Sequence, residues 1–170
     1  MSKEPRMTPR QVALRVLCVV DAADAYVHIA LDNYLRRTGL DKRDRRLVTE
    51  LVYGTLRRRL TLDWVLARFS RYTLESMTVP LRNNLRMAVY QILFLDSIPA
   101  AAVCHEAVEL TKSFGHDGMV RLVNGILRSL LRDPEKGDYQ QAAQTMGRAQ
   151  GISLLHSHPL WLVEHWLREL

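Results

Sequence analysis

Leu81, Leu85, Ala88, Ile92 and Leu95 recur at intervals of four, three, four and three residues, the spacing of one buried face of an α-helix. The same period runs through most of the chain. Thr8-Pro9-Arg10-Gln11 reads as a capping box with Pro in the first turn. The helix it starts reaches about Ala25, with Val12, Ala13, Val16, Leu17, Val20 and Ala23 inward. A second helix spans about Val27 to Arg37 and stops at Gly39. Asp41 opens a third, which buries Leu47, Val48, Leu51, Val52 and Leu56 and turns Arg43, Arg46 and Arg57 the other way. Thr61 is expected to cap a fourth helix carrying Leu62, Val65, Leu66 and Phe69. Pro80 starts the fifth and Pro99 the sixth, which Gly115 closes. Asp117 is expected to cap a seventh, with Val120, Val123, Leu127 and Leu130 inward. No segment sustains period-two alternation, so the reading is an all-α domain without a sheet.

The pattern changes after Arg132. Asp133 to Asp138 is rich in helix breakers and reads as a linker, and Gln140 to Gln150 as a weak helix of low apolar content. The last piece, Leu160 to Leu170, is strongly apolar and carries Trp161 and Trp166. The division expected is a helical domain over 1–133 followed by a linker and first helix over 134–170. Because the sequence stops inside an apolar helix, the expectation is a piece of a longer protein. The tail helix should either dock on the domain or pair with a second copy.

Charge adds a direction. The net charge of +6 is concentrated: residues 1–60 hold 13 basic and 7 acidic side chains, and the remainder balances. The segment with Arg36, Arg37, Lys42, Arg43, Arg45 and Arg46, together with Arg6, Arg10 and Arg15 upstream, suits an anionic partner. Nucleic acid comes first and a membrane surface second; the alternative is a solvated face. Guanidinium forks fit phosphate oxygens and stack on unpaired bases. Arg68, Arg71 and Arg82, from the charge-neutral middle, should matter much less. Arg121, Arg128 and Arg132 share a helix face with Gly125 and form either a second basic strip, an interface or a solvated face.

Other chemistry is thin. Cys18 and Cys104 fall in apolar helix phases, which favours buried thiols over a disulfide. His156, His158 and His165 have no Cys or acid at ligand spacing, so no metal site is expected. Glu106 and Glu109 lie three apart on one helix turn and read as ion-pairing groups. Asn124, like Tyr90-Gln91, reads as a polar group fixing helix register, and Gly125 and Gly54 as points of close helix approach. No stretch of 18 apolar residues and no signal-like start occurs, so the reading is cytoplasmic, without a membrane.

A set of strings in order points to a family: Arg10-Gln-Val-Ala13, Arg43-Asp-Arg45, Glu50-Leu-Val-Tyr-Gly-Thr-Leu-Arg57, Leu85-Arg86 with Tyr90-Gln91, Ile98-Pro99, Glu106-Ala-Val-Glu109, Val123-Asn-Gly-Ile-Leu-Arg128 and His158-Pro-Leu-Trp161. Together, over most of residues 8–170, they resemble the NusB-like domain at the front of the RsmB/Sun (Fmu) ribosomal RNA cytosine-C5 methyltransferases. The resemblance implies a NusB-like bundle of about seven core helices in two packed sub-bundles. It implies RNA contact at the basic end, with Arg10 where NusB proteins carry part of an Arg-rich motif. It also implies a role in placing small-subunit ribosomal RNA for a methyltransferase domain that follows, against which Arg121, Arg128, Arg132, Trp161 and Trp166 would lie. That domain would bind S-adenosylmethionine. Neither its Gly-rich donor loop nor its Pro-Cys nucleophile occurs here, so no catalytic or cofactor-binding residue is assigned to this chain. Two other readings stand beside this one. One is a stand-alone transcription antitermination factor of the NusB type, which would usually carry Asp where Arg128 stands and end near that point. The other is a purely structural interdomain adaptor.

Overall fold

The starts and stops of the helices follow from local chemistry. The computed structural model describes residues 6–170. Helix α1 (Pro9–Ala23) opens on the expected capping box: Thr8 Oγ1 accepts from the Gln11 N–H at 3.2 Å, and the Gln11 side chain accepts from the Thr8 N–H at 2.8 Å. It ends at Ala23, earlier than expected, because Asp24 turns left-handed at φ 49°. Helix α2 (Val27–Thr38) ends at Gly39, whose φ of 61° is the left-handed cap that glycine adopts without strain. Helix α3 (Lys42–Arg57) is capped by Asp41, which accepts from the Asp44 N–H at 2.8 Å. Then follow α4 (Arg59–Phe69), α5 (Val79–Phe94), α6 (Ala100–Phe114), α7 (Asp117–Arg132), α8 (Tyr139–Thr145), α9 (Arg148–His156) and α10 (Leu160–Glu169). Short 3-10 turns occupy Leu74–Ser76 and Pro134–Gly137. No strand occurs among the described residues.

Helices α1, α2 and α3 pack as one sub-bundle and α4 to α7 as another. Helix α5 is the shared axle, touching α1, α3, α4, α6 and α7. That position explains its unusual burial. Every residue from Asn83 to Gln91 is buried, including Asn83, Asn84, Arg86 and Gln91. Buried polar groups cost free energy unless paired, and apart from Asn84 Oδ1, which is buried without a partner, these are paired. Asn84 Nδ2 donates to the Ala107 carbonyl at 2.9 Å and to Thr111 Oγ1 at 3.0 Å. Gln91 accepts from Arg10 Nε at 2.9 Å. Arg86 forks onto Asp63 at 2.7 and 3.0 Å and reaches Asp21 at 3.4 Å. Arg82 forks onto Asp21 at 2.7 and 3.1 Å, and Asn83 joins the same carboxylate at 2.8 Å. Arg82 therefore belongs to the structural interior and not to an inert middle.

Several expected details shift. Thr61 does not cap α4; it is buried inside the helix and donates to the Leu154 carbonyl at 2.6 Å. The α7 cap is His116, whose Nδ1 accepts from the Gly118 N–H at 3.1 Å, while Asp117 is the first helical residue. Asn124 is half-buried and accepts from Arg128 at 3.1 Å, so the register-fixing Asn is Asn84 on the surrounded helix α5. Gly125 faces open space, with nothing within 4 Å of where a Cβ would sit. Gly54 does meet the expectation of close approach, since a Cβ there would fall 2.0 Å from Tyr90 Cζ.

Segment 134–170 is tied to the bundle. The 140–150 stretch breaks at Met146–Gly147 into α8 and α9. Three bonds then fix α9 to the start of α4: Arg58 to the Leu155 carbonyl at 3.0 Å, the Leu60 N–H to Ser157 Oγ at 2.9 Å, and Thr61 to Leu154. Helix α10 packs on α9 and buries Val163, yet Trp161 stays 68% exposed and Trp166 43% exposed. Docking of the tail helix is thus partial, along one edge.

Candidate nucleic-acid interface

The corner between α2 and α3 is built by residues that hold its shape, and this sorts the basic segment into two kinds of side chain. Arg45 donates to the Leu35 carbonyl at 3.1 Å, satisfying a carbonyl in the last turn of α2. Arg6 donates to the Gly39 carbonyl on the turn itself. Arg36 is engaged by Asp32 at 3.0 Å one helical turn earlier. Arg10 is half-buried and held by Gln91 of α5. Arg45, Arg6 and Arg10 thus tie separate parts of the chain together, whereas the Arg36 pair is exposed and stays within α2.

Arg37, Lys42, Arg43 and Arg46 form the second kind. All four are exposed and make no ion pair or side-chain hydrogen bond among the described residues. Arg37 lies in the last turn of α2, while Lys42, Arg43 and Arg46 lie in the first turn and a half of α3. Lys42 and Arg46 are four apart and Arg43 and Arg46 three apart, so they neighbour one another on the helix surface. Cations at a helix N-terminus add to the positive end of the macrodipole, where acidic side chains would be the stabilising choice. Asp41 and Asp44 offset part of this, with Asp41 committed as the cap. The result is an outward concentration of positive potential of the kind that backbone phosphates fill. Arg15 is exposed on α1 and stands apart from the corner, at the rim of a largely apolar groove between α1, α2 and α6.

On α7, Arg121, Arg128 and Arg132 are all exposed. Arg128 is drawn to Asn124, and Arg132 to Ser129 at 3.3 Å. The run Arg57-Arg58-Arg59 is a further signal visible in the sequence as three consecutive arginines. Arg59 lies 3.9 Å from Asp63, but Arg57 and Arg58 have no carboxylate partner among the described residues.

The remaining candidates have little chemistry. Cys18 and Cys104 are free and half-buried rather than fully buried. Burial pushes the Cys18 thiol up to about 11, so it is protonated at neutral pH and a poor nucleophile. Glu109 is exposed and paired with Lys112 at 2.7 Å. No group of three or more His, Cys, Asp or Glu is assembled to hold a metal ion among the described residues. No helix among them is long and apolar enough to cross a membrane.

Comparison with known proteins agrees with this architecture. The model of the NusB family matches residues 7–132. A probable ribosomal RNA small subunit methyltransferase B of Bacillus subtilis is 34% identical over 92% of this chain. The chain spans only about a third of that relative, 34% of its length. A transcription antitermination protein NusB of Desulforudis audaxviator is 35% identical over 77% of this chain and 96% of its own length. The solved structure of T. maritima NusB superposes with a TM-score of 0.69 at 27% identity, covering 79% of this chain and 98% of that one.

Proposed function

The chain belongs to the NusB family, and from that premise we propose that it is an RNA-binding module which positions small-subunit ribosomal RNA for a cytosine-C5 methyltransferase domain in the same protein. The observation that carries the RNA part is the α2–α3 corner, where four cations project without partners around a helix N-terminus. Arg6 and Arg45 hold the corner's shape, Arg36 lies beside it in an exposed pair with Asp32, and Arg15 would add to the approach path. RNA backbone phosphates neutralised there would release counterions, so the interaction should be strongly salt-dependent.

Segment 134–170 favours the methyltransferase setting over a stand-alone antitermination factor. Similarity to the methyltransferase relative extends over 92% of the chain, beyond the residues the family model covers. The exposed Trp161 on α10, and the outward Arg121, Arg128 and Arg132 of α7, are surfaces against which a further domain could rest. S-adenosylmethionine would be that domain's methyl donor. The described residues offer no strand with a Gly-rich loop to cradle it. A cytoplasmic setting goes with this reading.

The test is binding to a fluorescently labelled fragment of small-subunit ribosomal RNA. Arg43→Glu/Arg46→Glu should weaken binding by about tenfold or more, with unchanged helical circular dichroism. In a protein that includes the catalytic domain, the same pair should raise KM for RNA more than it lowers kcat. RNA affinity equal to the parent's in the double variant would remove the corner from the interface and return the reading to an interdomain adaptor.

A further inference from the structure

Three strings that stand far apart in the sequence meet around one cavity. Gly54 and Arg57 come from the end of α3, Tyr90 from α5, and His158 from the corner between α9 and α10. The cavity has a volume of about 650 Å³, within the range of small-ligand pockets. Arg57, Arg58, His156 and His158 supply its polar wall, Tyr90 and Phe94 its floor, and no carboxylate lines it. We propose that this cavity is a phosphate-binding site, taking the phosphate group of a nucleotide.

The argument begins with Arg58. Its guanidinium carbon lies 4.7 Å from the Phe94 ring centroid, and one nitrogen donates to the Leu155 carbonyl at 3.0 Å. A carbonyl and an aromatic face orient the fork without neutralising it, leaving its other N–H groups to bond an anion. Arg57 is exposed, and its Nε is held weakly by the Tyr53 carbonyl at 3.4 Å. Its place in the last turn of α3 offsets the negative helix end in part, but that does not call for Arg58 beside it. His156 and His158 line the cavity from the α9–α10 corner, with ring centroids 6.5 Å apart. Ser157 accepts from the Leu60 N–H and keeps its own hydroxyl proton to donate.

The site is also built to keep its shape. Gly54 lets the Tyr90 ring lie against α3, and the Tyr90 hydroxyl donates to the Glu50 carboxylate, which fixes the ring at the floor. The bonds from Leu60 and Thr61 lock the α9–α10 corner, to which Arg58 is also bonded. The donors are thus preorganised and rich in charge, with few acceptors, which matches a group of several oxygens and two negative charges. Stacking of a base on Phe94 is blocked, because Arg58 and Tyr90 cover it. Trp166, edge-on to His158 at 5.3 Å and half exposed, is the ring beside the site that a base could meet.

The phosphate could belong to a free nucleotide or to an RNA strand, and the experiment separates them. The whole chain is titrated with inorganic phosphate, with cytidine monophosphate, and with a short single-stranded RNA bearing a 5′ phosphate. The readouts are the ring-proton NMR signals of His156 and His158 and the indole N–H NMR signal of Trp166. Saturable shifts are expected. Preference for the monophosphate assigns a free nucleotide, and preference for the oligonucleotide assigns an RNA end or backbone. Arg57→Ala/His156→Ala, both exposed and spared by the core, should weaken the favoured ligand by about tenfold or more. Arg58→Lys, which keeps charge and loses the fork, should weaken it too. Arg43→Glu/Arg46→Glu should leave phosphate and monophosphate binding unchanged, so failure of the corner reading and failure of this site are distinguishable. Absence of shifts with all three probes would overturn the proposal. So would parent-like affinity in Arg57→Ala/His156→Ala, or tighter binding of an acidic peptide than of any phosphate ligand.

Discussion

The arginines of α5 and those of the α2–α3 corner are the same residue type in opposite circumstances. Arg82 and Arg86 each fork onto a carboxylate, and Arg86 is only 4% exposed. Arg37, Arg43 and Arg46 face water without a carboxylate. The first set is an internal clamp between α1, α4 and α5, expressed through Asp21 and Asp63. The second has no partner inside the molecule and is available to one outside it. Total charge does not separate the two; only the distribution of partners does. The same division extends to glycine, since Gly54 faces α5 and Gly125 faces solvent.

The largest effect should come from breaking the clamp. Arg86→Met leaves Asp63 without its fork and should cost about 3–5 kcal/mol in urea unfolding. Arg43→Glu/Arg46→Glu should stay within about 0.5 kcal/mol of the parent. Equal losses from both would erase the distinction between clamp and corner.

Gly54→Ala comes next. A helical Ala is favoured over Gly by about 1 kcal/mol, but the new Cβ would collide with the buried Tyr90 ring. Overpacking should win, for a net loss of about 1–3 kcal/mol in the same measurement. A stabilised Gly54→Ala would mean that Tyr90 moves aside freely, and that the floor of the phosphate cavity is not fixed.

Acid should find the clamp before the corner. The hydrogen-bonded Arg82 guanidinium lowers the Asp21 carboxyl from its ordinary 3.8 to about 2 against an opposing desolvation. A carboxylate depressed in the folded state stabilises fully above its unfolded pKa. That contribution is lost as pH falls from about 4 to about 2, on the order of 1–2 kcal/mol after screening by solvent. Denaturant midpoints measured across that range should fall more steeply for the parent than for Asp21→Asn. The smallest effect belongs to Gly125→Ala, which should stabilise by about 0.5–1 kcal/mol because the added methyl meets nothing.

Much of the fold was legible because hydrophobic period and capping chemistry agree. The Thr8 box, the Gly39 stop, the Asp41 cap and the proline starts of α5 and α6 sit where the sequence puts them. Where reading failed, the missing fact was which helix is surrounded. Asn84 and Asn124 look alike along the chain, yet only α5 has neighbours on all sides, so Asn84 is buried and Asn124 is not. Thr61 looked like a cap because nothing local shows that Leu154 will arrive beside it, 93 positions on. In the candidate interface, the basic segment was visible as charge density. Its division into corner-holding residues and outward ones depends on carbonyls at Leu35 and Gly39 and on Gln91, which only the tertiary structure brings near. The Arg57-Arg58 pair was legible as a run, but the two histidines that face it come from a segment about a hundred residues away.

The most direct test of the account is the salt dependence of single-stranded RNA binding. Four outward cations neutralising four phosphates predict a log–log slope of about −3 for the parent. Arg37→Glu/Arg43→Glu/Arg46→Glu should bring that slope close to zero while leaving the unfolding midpoint unchanged. An undiminished slope in this triple variant would show that the phosphates are met elsewhere and contradict the assignment of the α2–α3 corner.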